Sequence, residues 1–403
     1  MCMLAFGGSK NTLNEKSIAP LAFNALVIWG LFLVIWTPRT YDLGFSIGYT
    51  GWFLINVALI YFATQYYGYN RNHMDSMLRW YLNIYVAISA FGLIQLIVGI
   101  FGYNILVTQW WIAGKLPRLN GFSYEPSYYA TYLITGWGMF AWLVERDVSL
   151  YSRRYTQLSF AVITSALILS SSRMAILVVA GYAIYYLVKN LIWIALNLKI
   201  NVKFLKVVSF CVAGVVLFSL FITLTVGFSS LKFLLFGTGL GGTANHSATI
   251  RFGQLQDTIN LIKESPFIGY GLGGIWSVIA AKRGLPVKEV TGMNVTAEVL
   301  ASTGLIGFPF YIIFISTLIF GSFKFLKKRH IYTELLAASG VGFVLLYLIL
   351  QFNQSILRVY LWNHIAVMCI LYHYVANLQP TSAIKRAVRV ARPLEGGQSF
   401  SPQ

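Results

Sequence analysis

The stretch Val295–Phe320, VTAEVLASTGLIGFPFYIIFISTLIF, decides the fold because it is a long apolar run that contains a single charged residue, Glu298. A helix needs roughly 20 consecutive apolar residues to cross a bilayer. Similar blocks recur along the chain, and they are longer than the periodic stripes of amphipathic core helices. We therefore predict that this stretch and its counterparts are membrane spans.

The overall composition agrees with a lipid environment. Of the 403 residues, 57% are hydrophobic and only 10% are charged, whereas soluble domains carry about 25% charged residues. The net charge is +18, but the basic residues lie mostly in short segments between apolar blocks, as the positive-inside rule describes. No basic groove or base-stacking module is evident, so nucleic acid is not an expected partner.

We predict an all-α polytopic membrane protein with about ten transmembrane helices. One apolar block, Thr156–Val188, is broken by Ser170-Ser171-Ser172-Arg173 and is interpreted as two short spans joined by a tight turn. Residues 1–378 would form one transmembrane domain with a large periplasmic loop at 227–294 that contains short helices. Residues 379–403 would form a basic, disordered cytoplasmic tail. The remaining predicted spans are Ile18–Trp36, Ile47–Tyr66, Trp80–Phe101, Tyr128–Val144, Val207–Val226, Val295–Phe320, Ile331–Phe352 and Val359–Val375.

With both termini in the cytoplasm, several arginines fall at or near the outer ends of spans. Arginine is costly in lipid and usually faces a cavity or a partner, and its guanidinium binds phosphate through two parallel hydrogen bonds. The alternative is that each side chain reaches out to lipid headgroups. Arg173 is the sharpest case, because it lies in the turn between two short spans. These outer arginines are Arg39, Arg118, Arg173, Arg251, Arg283 and Arg358.

Other polar residues on the outer side have both a structural and a functional interpretation. Glu125 precedes Pro126 at the start of a span, where an acid caps the helix, but it could also bind a sugar hydroxyl or orient an arginine. His246 and His364 could accept a proton from an acceptor hydroxyl near neutral pH, although loop histidines are more often simply solvated. The glycine-rich segment Ile268–Gly274 follows no predicted strand, so it indicates tight backbone geometry or close approach to a ligand.

These motifs, in this order, resemble the O-antigen ligase and polymerase superfamily of bacterial inner membranes. The likeness covers roughly residues 121–320. Its elements are Ser171-Ser172-Arg173 at the start of a helix, Arg251, Pro266 before the glycine turn around Tyr270, and Asn294 followed by Gly304-Leu305-Ile306-Gly307.

The resemblance implies a class C glycosyltransferase-like fold and a metal-independent transfer without cofactors. Glycan would move from an undecaprenyl-pyrophosphate-linked donor to a lipid-linked acceptor on the periplasmic face of the inner membrane, forming O-antigen or exopolysaccharide. Membrane lipids and a chain-length regulator are the other expected partners. The implied catalytic residues are Glu125, Arg173, Arg251 and His246, and the implied substrate-binding residues are Arg118, Arg283, Arg358, Asn294 and Tyr270.

Two alternatives to a polymerase stay open. Ligases of this superfamily carry a histidine directly before the asparagine, whereas this chain has Met293 there, which favours the polymerase. A ligase that hands finished glycan to lipid A-core or to a protein is the nearest alternative. A transporter is the alternative from another class, and Glu298, inside a span, is the only charge that hints at a transport path; no inverted repeat supports it.

Overall fold

The structure is a computed structural model that describes residues 19–67, 71–112, 116–198, 245–287, 294–328, 330–352 and 355–378, with isolated positions in 199–244 and at 290. In this part of the chain, the elements are α-helices, short 3-10 turns and one small β-hairpin. The helices are α1 Ala19–Trp36, α2 Leu43–Tyr67, α3 Arg71–Ile100, α4 Pro126–Arg146, α5 Arg153–Leu169, α6 Arg173–Asn197, α7 Asn245–Glu264, α8 Gly274–Arg283, α9 Val295–Lys324, α10 Ile331–Leu350 and α11 Val359–Ala376. The hairpin pairs β1 Trp110–Ile112 with β2 Leu116–Pro117.

The predicted class, an all-α polytopic membrane protein, is confirmed. Among the described residues, six helices are long and apolar enough to cross a bilayer, namely α2, α3, α6, α9, α10 and α11. Helices α1, α4 and α5 match three further predicted spans. Most of the predicted span Val207–Val226, and all of the tail 379–403, lie outside the described residues. The predicted short helices of the large loop correspond to α7 and α8.

The predicted break at the serines is confirmed, but the second arm is not short. Helix α5 ends at Leu169, and α6 begins at Arg173 after a turn in which Ser171 has a φ of 56°. Helix α6 continues to Asn197, well past the predicted end at Val188. The prediction was wrong because apolar residues resume after Lys189 and carry the helix onward.

Helix α4 lies in the middle of the bundle. Most of its length is buried, and it packs closely on α10. The contact depends on glycine: a Cβ on Gly342 would lie 2.6 Å from the Thr135 carbonyl oxygen, and one on Gly138 would lie 3.1 Å from the Gly342 Cα. Small residues let two helix backbones approach closely in a membrane bundle. The middle of α4 is therefore packed tightly against α10.

Helix α9 is broken at Gly304, where φ is 59° and ψ is −171°. The glycine-rich loop that follows α7 docks into this break. Its Tyr270 and Gly271 amides donate to the Ala301 and Ser302 carbonyls at 2.9 and 2.8 Å. In return, the amides of residues 305 and 306 donate to the carbonyls of residues 266 and 267 at 2.8 and 3.0 Å.

These reciprocal hydrogen bonds join two of the predicted motifs, the glycine-rich segment Ile268–Gly274 and the motif Gly304-Leu305-Ile306-Gly307, in one interaction. The carbonyls of Ala301 and Ser302 and the amides of residues 305 and 306 would be partners in an unbroken helix. The loop supplies a substitute for each, so these four backbone groups stay hydrogen-bonded although the helix is broken. The expectation of tight backbone geometry at Ile268–Gly274 is confirmed, since Gly269, Gly271 and Gly273 all have positive φ.

We predict that Gly304→Ala destabilises the protein, whereas Gly181→Ala does not. A Cβ at Gly304 would lie 2.3 Å from backbone atoms of Phe267 and Ile268. The required backbone region is accessible essentially only to glycine, and strain there costs about 1–3 kcal/mol before the clash is counted. Thermal unfolding of the detergent-purified protein should show an apparent melting temperature lower by roughly 3 °C or more.

Gly181 is the matched control because it lies inside α6 with open space around its Cα. Alanine is the better helix former there, so Gly181→Ala should leave the melting temperature unchanged or slightly raised. Equal melting temperatures for the two variants would contradict the docking of the loop into α9.

Candidate active site

Four helices begin at one end of the bundle and are joined there by side-chain contacts. The start of α4 meets that of α11, where the Arg358 guanidinium lies 4.2 Å from the centre of the Tyr128 ring. The turn before α6 accepts a hydrogen bond from Arg118 through the Ser171 carbonyl. The first turn of α9 reaches the segment before α11 through Glu298. Helix N-termini carry partial positive charge and unpaired amides, so this end of the bundle attracts anions.

Arg118 follows the β-hairpin and spans the gap to the serine turn. Its Nη1 donates to Gln109 Oε1 at 2.8 Å, and its Nη2 donates to the Ser171 carbonyl oxygen at 3.5 Å. Burial lowers the pKa of Arg118; the Glu125 carboxylate raises it, and the Arg173 guanidinium lowers it again. The structure thus brings together three predicted site residues. They are the cations Arg118 and Arg173 and the carboxylate Glu125.

The segment that carries Arg118 is organised by two buried amides. Gln95, on α3, donates to the Gly121 carbonyl at 2.9 Å and accepts from the Gly121 amide at the same distance. The Asn120 side chain donates to the carbonyls of Leu106 and Ser123 at 2.9 and 2.8 Å. Neither amide was predicted from the sequence, because a lone polar residue gives no sign of which loop it will bind.

Glu125 occupies the N-cap position of α4, but its side chain makes no capping hydrogen bond. Its Oε2 instead accepts from the Ser127 hydroxyl at 3.0 Å, and the carboxylate interacts electrostatically with Arg118. The predicted position at the helix start, with proline next to it, is confirmed, but the side chain makes no capping hydrogen bond. A carboxylate that orients an arginine, which was the alternative, fits the observed contacts.

Arg173 is the first residue of α6, and its side chain is exposed. The N-cap residue, Ser172, makes no side-chain capping bond, and the first amides of a helix have no partner within the helix. A guanidinium beside the open N-terminus of a helix is a favourable site for a phosphate.

Arg358 lies at the N-cap position of α11 and is half-buried. Its guanidinium rests on the Tyr128 ring, a cation–π contact that fixes the position of the charge. Among the described residues, no group accepts a hydrogen bond from the buried Arg358 Nε. Tyr128 is one turn beyond Glu125 on α4, so Arg358 belongs to the same end of the site as Arg118.

The segment before Arg358 is held by side chains from three helices. Glu298 accepts from the Ser355 hydroxyl and from the Ile356 amide, both at 3.0 Å. Two indoles bind the neighbouring carbonyls: Trp362 donates to that of Ile356 at 2.8 Å, and Trp52 to that of Leu357 at 3.2 Å. The contacts of Glu298 and Trp52 could not be predicted from the sequence, since they join residues from distant parts of the chain.

Three predicted site residues have structural partners elsewhere. Arg283 forms an ion pair with Asp257 at 2.6 Å, which joins α8 to α7. Asn294 caps α9, because its side chain accepts from the Ala297 amide at 2.9 Å. The Tyr270 hydroxyl donates to Glu264 at 3.0 Å, and burial, together with this bond, raises the pKa of Tyr270 to about 12. No contact joins these three to the arginines above among the described residues, and their substrate-binding roles stay predictions.

The two remaining predicted residues, Arg251 and His246, lie in α7, but their side chains are outside the described residues. Their catalytic roles therefore stay predictions. The other candidate histidine, His364, is fully buried between Tyr81 and Ser339. Its Nε2 donates to the Ser339 carbonyl at 2.8 Å, so its Nδ1 accepts from the Tyr81 hydroxyl at 2.7 Å. These bonds give His364 a structural role in the bundle.

The sequence profile of the family described as O-antigen ligase matches residues 158–312. The matched segment contains Arg173, Arg251, Asn294 and the loop that docks into α9. A search of curated proteins finds no match to this chain. The profile confirms the predicted resemblance to the O-antigen ligase and polymerase superfamily, a class of glycosyl-transferring membrane enzymes, and does not distinguish the two activities.

We predict that inorganic pyrophosphate binds to this end of the bundle and that Arg118→Gln and Arg173→Gln each weaken it. A hydrogen bond to a charged group contributes about 1.5–3 kcal/mol, so each variant should lose affinity by about tenfold or more. Isothermal titration calorimetry of the purified protein in detergent measures the effect.

Arg153→Gln is the control, because Arg153 is exposed at the opposite end of α5 and pairs with Asp147. Its pyrophosphate affinity should equal that of the unmodified protein. If all three variants bind equally well, the site is not an anion site.

Proposed function

We propose that this protein is a membrane glycosyltransferase that polymerises undecaprenyl-pyrophosphate-linked repeat units. The match of residues 158–312 to the O-antigen ligase family supports the proposal. The reaction would take place on the periplasmic face of the bacterial inner membrane. The observation that carries this proposal is the convergence of Arg118, Arg173 and Arg358 with the N-termini of α4, α6 and α11.

The proposed role of the arginines is to bind the leaving group. The acceptor hydroxyl oxygen attacks the anomeric carbon of the donor glycan, and the bond from that carbon to the pyrophosphate oxygen breaks. The undecaprenyl pyrophosphate leaves with the bonding electrons, and its new negative charge must be stabilised. Fixed donors in a site sheltered from water are well suited to this task. Arg173 and Arg118 would bind the diphosphate, with Arg358 and Arg251 as further contacts.

The proton of the acceptor hydroxyl needs a base. Glu125 is the described residue best placed for this role, since it lies at the start of α4 beside Arg118. A carboxylate in this position would hold the acceptor hydroxyl and receive its proton as the new bond forms. His246 is the other proposed base. A comparison of Glu125→Gln with His246→Ala in a chain-extension assay shows which of the two residues acts as the base.

The nearest alternative is a ligase that transfers finished glycan to lipid A-core or to a protein. The matching profile is described as O-antigen ligase, whereas Met293 in place of a histidine supports the polymerase. Supplying each acceptor class separately discriminates, because a ligase would leave repeat units unlengthened. A chain-length regulator stays a predicted partner of the polymerase.

The transporter alternative loses its main support in the structure. Glu298 was the charge that suggested a transport path, but it is fully buried and its carboxylate is occupied by Ser355 and Ile356. A carboxylate that binds and releases ions would need access to water. A flux assay in vesicles that lack a glycan donor would show no transport if the glycosyltransferase proposal is right.

We predict that the protein, reconstituted in liposomes with lipid-linked repeat units, makes longer chains, and that Arg173→Gln slows this extension. Removal of one donor to a developing negative charge costs about 100- to 1000-fold in rate. The distribution of chain lengths, separated by gel electrophoresis at fixed times, measures the effect. Arg251→Gln should give a loss of the same order.

Arg153→Gln, at the other end of the bundle, is again the control and should extend chains at the rate of the unmodified protein. Normal extension by both Arg173→Gln and Arg251→Gln would show that the arginines do not bind the leaving group.

A further inference from the structure

We propose that Glu298 is a positioning residue that presents Arg358 to the anionic leaving group. The proposal rests on the function proposed above, because it assigns Arg358 to the binding of the diphosphate. It concerns a residue that does not itself reach the substrate: Glu298 is fully buried. Its effect would pass through the short segment 355–358, which ends at Arg358.

Both carboxylate oxygens of Glu298 accept hydrogen bonds from this segment. Oε1 accepts from the Ser355 hydroxyl, and Oε2 accepts from the Ile356 amide, each at 3.0 Å. The Ser355 hydroxyl in turn accepts from the Leu357 amide at 3.3 Å. One buried side chain therefore fixes the backbone of the residues immediately before Arg358.

Helix α9, which carries Glu298, also binds the beginning of the connection between α10 and α11. Thr296, half a turn before Glu298 on α9, donates its hydroxyl to Gln351 Oε1 at 2.8 Å, and its amide donates to the same atom at 3.4 Å. Gln351 is the C-cap residue of α10. The first turn of α9 thus binds both ends of the connection between α10 and α11.

Glu298 leaves the charge of Arg358 available to an added anion. The two groups interact electrostatically, but Arg358 forms no ion pair with a carboxylate among the described residues. Its guanidinium rests on Tyr128, and its Nε has no acceptor in this part of the chain. An arginine that is held in place but not neutralised can bind an added anion without first breaking a salt bridge.

A double-mutant cycle on inorganic pyrophosphate binding tests the proposal. Isothermal titration calorimetry is applied to the unmodified protein, Arg358→Gln, Glu298→Gln and the double variant. We expect each single variant to weaken binding by about five- to tenfold, and the double variant to bind no more weakly than Arg358→Gln. Such non-additivity is the signature of two residues that act as one unit.

Several results would overturn the proposal. Losses that multiply in the double variant would show that Glu298 acts independently of Arg358. Unchanged affinity in Glu298→Gln would show that it positions nothing. Tighter binding would show that Glu298 competes with the anion for Arg358. An unmodified protein that does not bind pyrophosphate, or an Arg358→Gln variant that binds it normally, would remove Arg358 from the anion site.

Ser355→Ala covers the case in which Glu298→Gln fails to fold, because it removes one contact of Glu298 and leaves the buried carboxylate bound to Ile356. It should weaken pyrophosphate binding in the unmodified background and have no effect in Arg358→Gln. The chain-extension assay separates the two proposals. If the double-mutant cycle shows coupling but the protein extends no chains, the proposed function is refuted. The role of Glu298 in positioning Arg358 for pyrophosphate binding then stands.

Discussion

The mutual repulsion of Arg118 and Arg173 is the constraint on which the rest of this site depends. Two guanidinium groups whose charges act on each other, one after the β-hairpin and one at the start of α6, are unfavourable unless an anion lies between them. The nearby carboxylate of Glu125 offsets part of this repulsion. The bundle also brings the N-termini of α4, α6 and α11 to the same end, and these add partial positive charge there. A bound diphosphate is the counter-ion that we propose.

The fold maintains this concentration of charge through rigid backbone connections. The loop from Pro266 to Gly271 completes the hydrogen bonds of helix α9 at its break. The break at Gly304 separates a short N-terminal part of α9 from a longer C-terminal part. The N-terminal part carries Glu298, which binds the segment before Arg358. Helix α4 is locked to α10 through Gly138 and Gly342. Charged groups that would otherwise move apart are in this way fixed by packing and by backbone geometry.

The sequence was sufficient for the helices and for the motifs, because both are local properties. Long apolar runs gave the spans, and the serines before Arg173 gave the turn that separates α5 from α6. Clustering of outer arginines was predicted from orientation, and Arg118, Arg173 and Arg358 do share one end of the bundle. The predicted end of α6 at Val188 was wrong, because a single lysine, Lys189, does not end the helix.

Partnerships between distant residues could not be predicted. Arg283 resembled the other arginines in sequence, yet it is paired with Asp257. Glu298 suggested a transport path, and only its contacts with Ser355 and Ile356 identify it as a support for Arg358. The most direct measurement is an experimental structure in lipid nanodiscs with undecaprenyl pyrophosphate bound. We predict that diphosphate oxygens lie within hydrogen-bonding distance of Arg173, and also of either Arg118 or Arg358. A diphosphate bound away from all three arginines would contradict it.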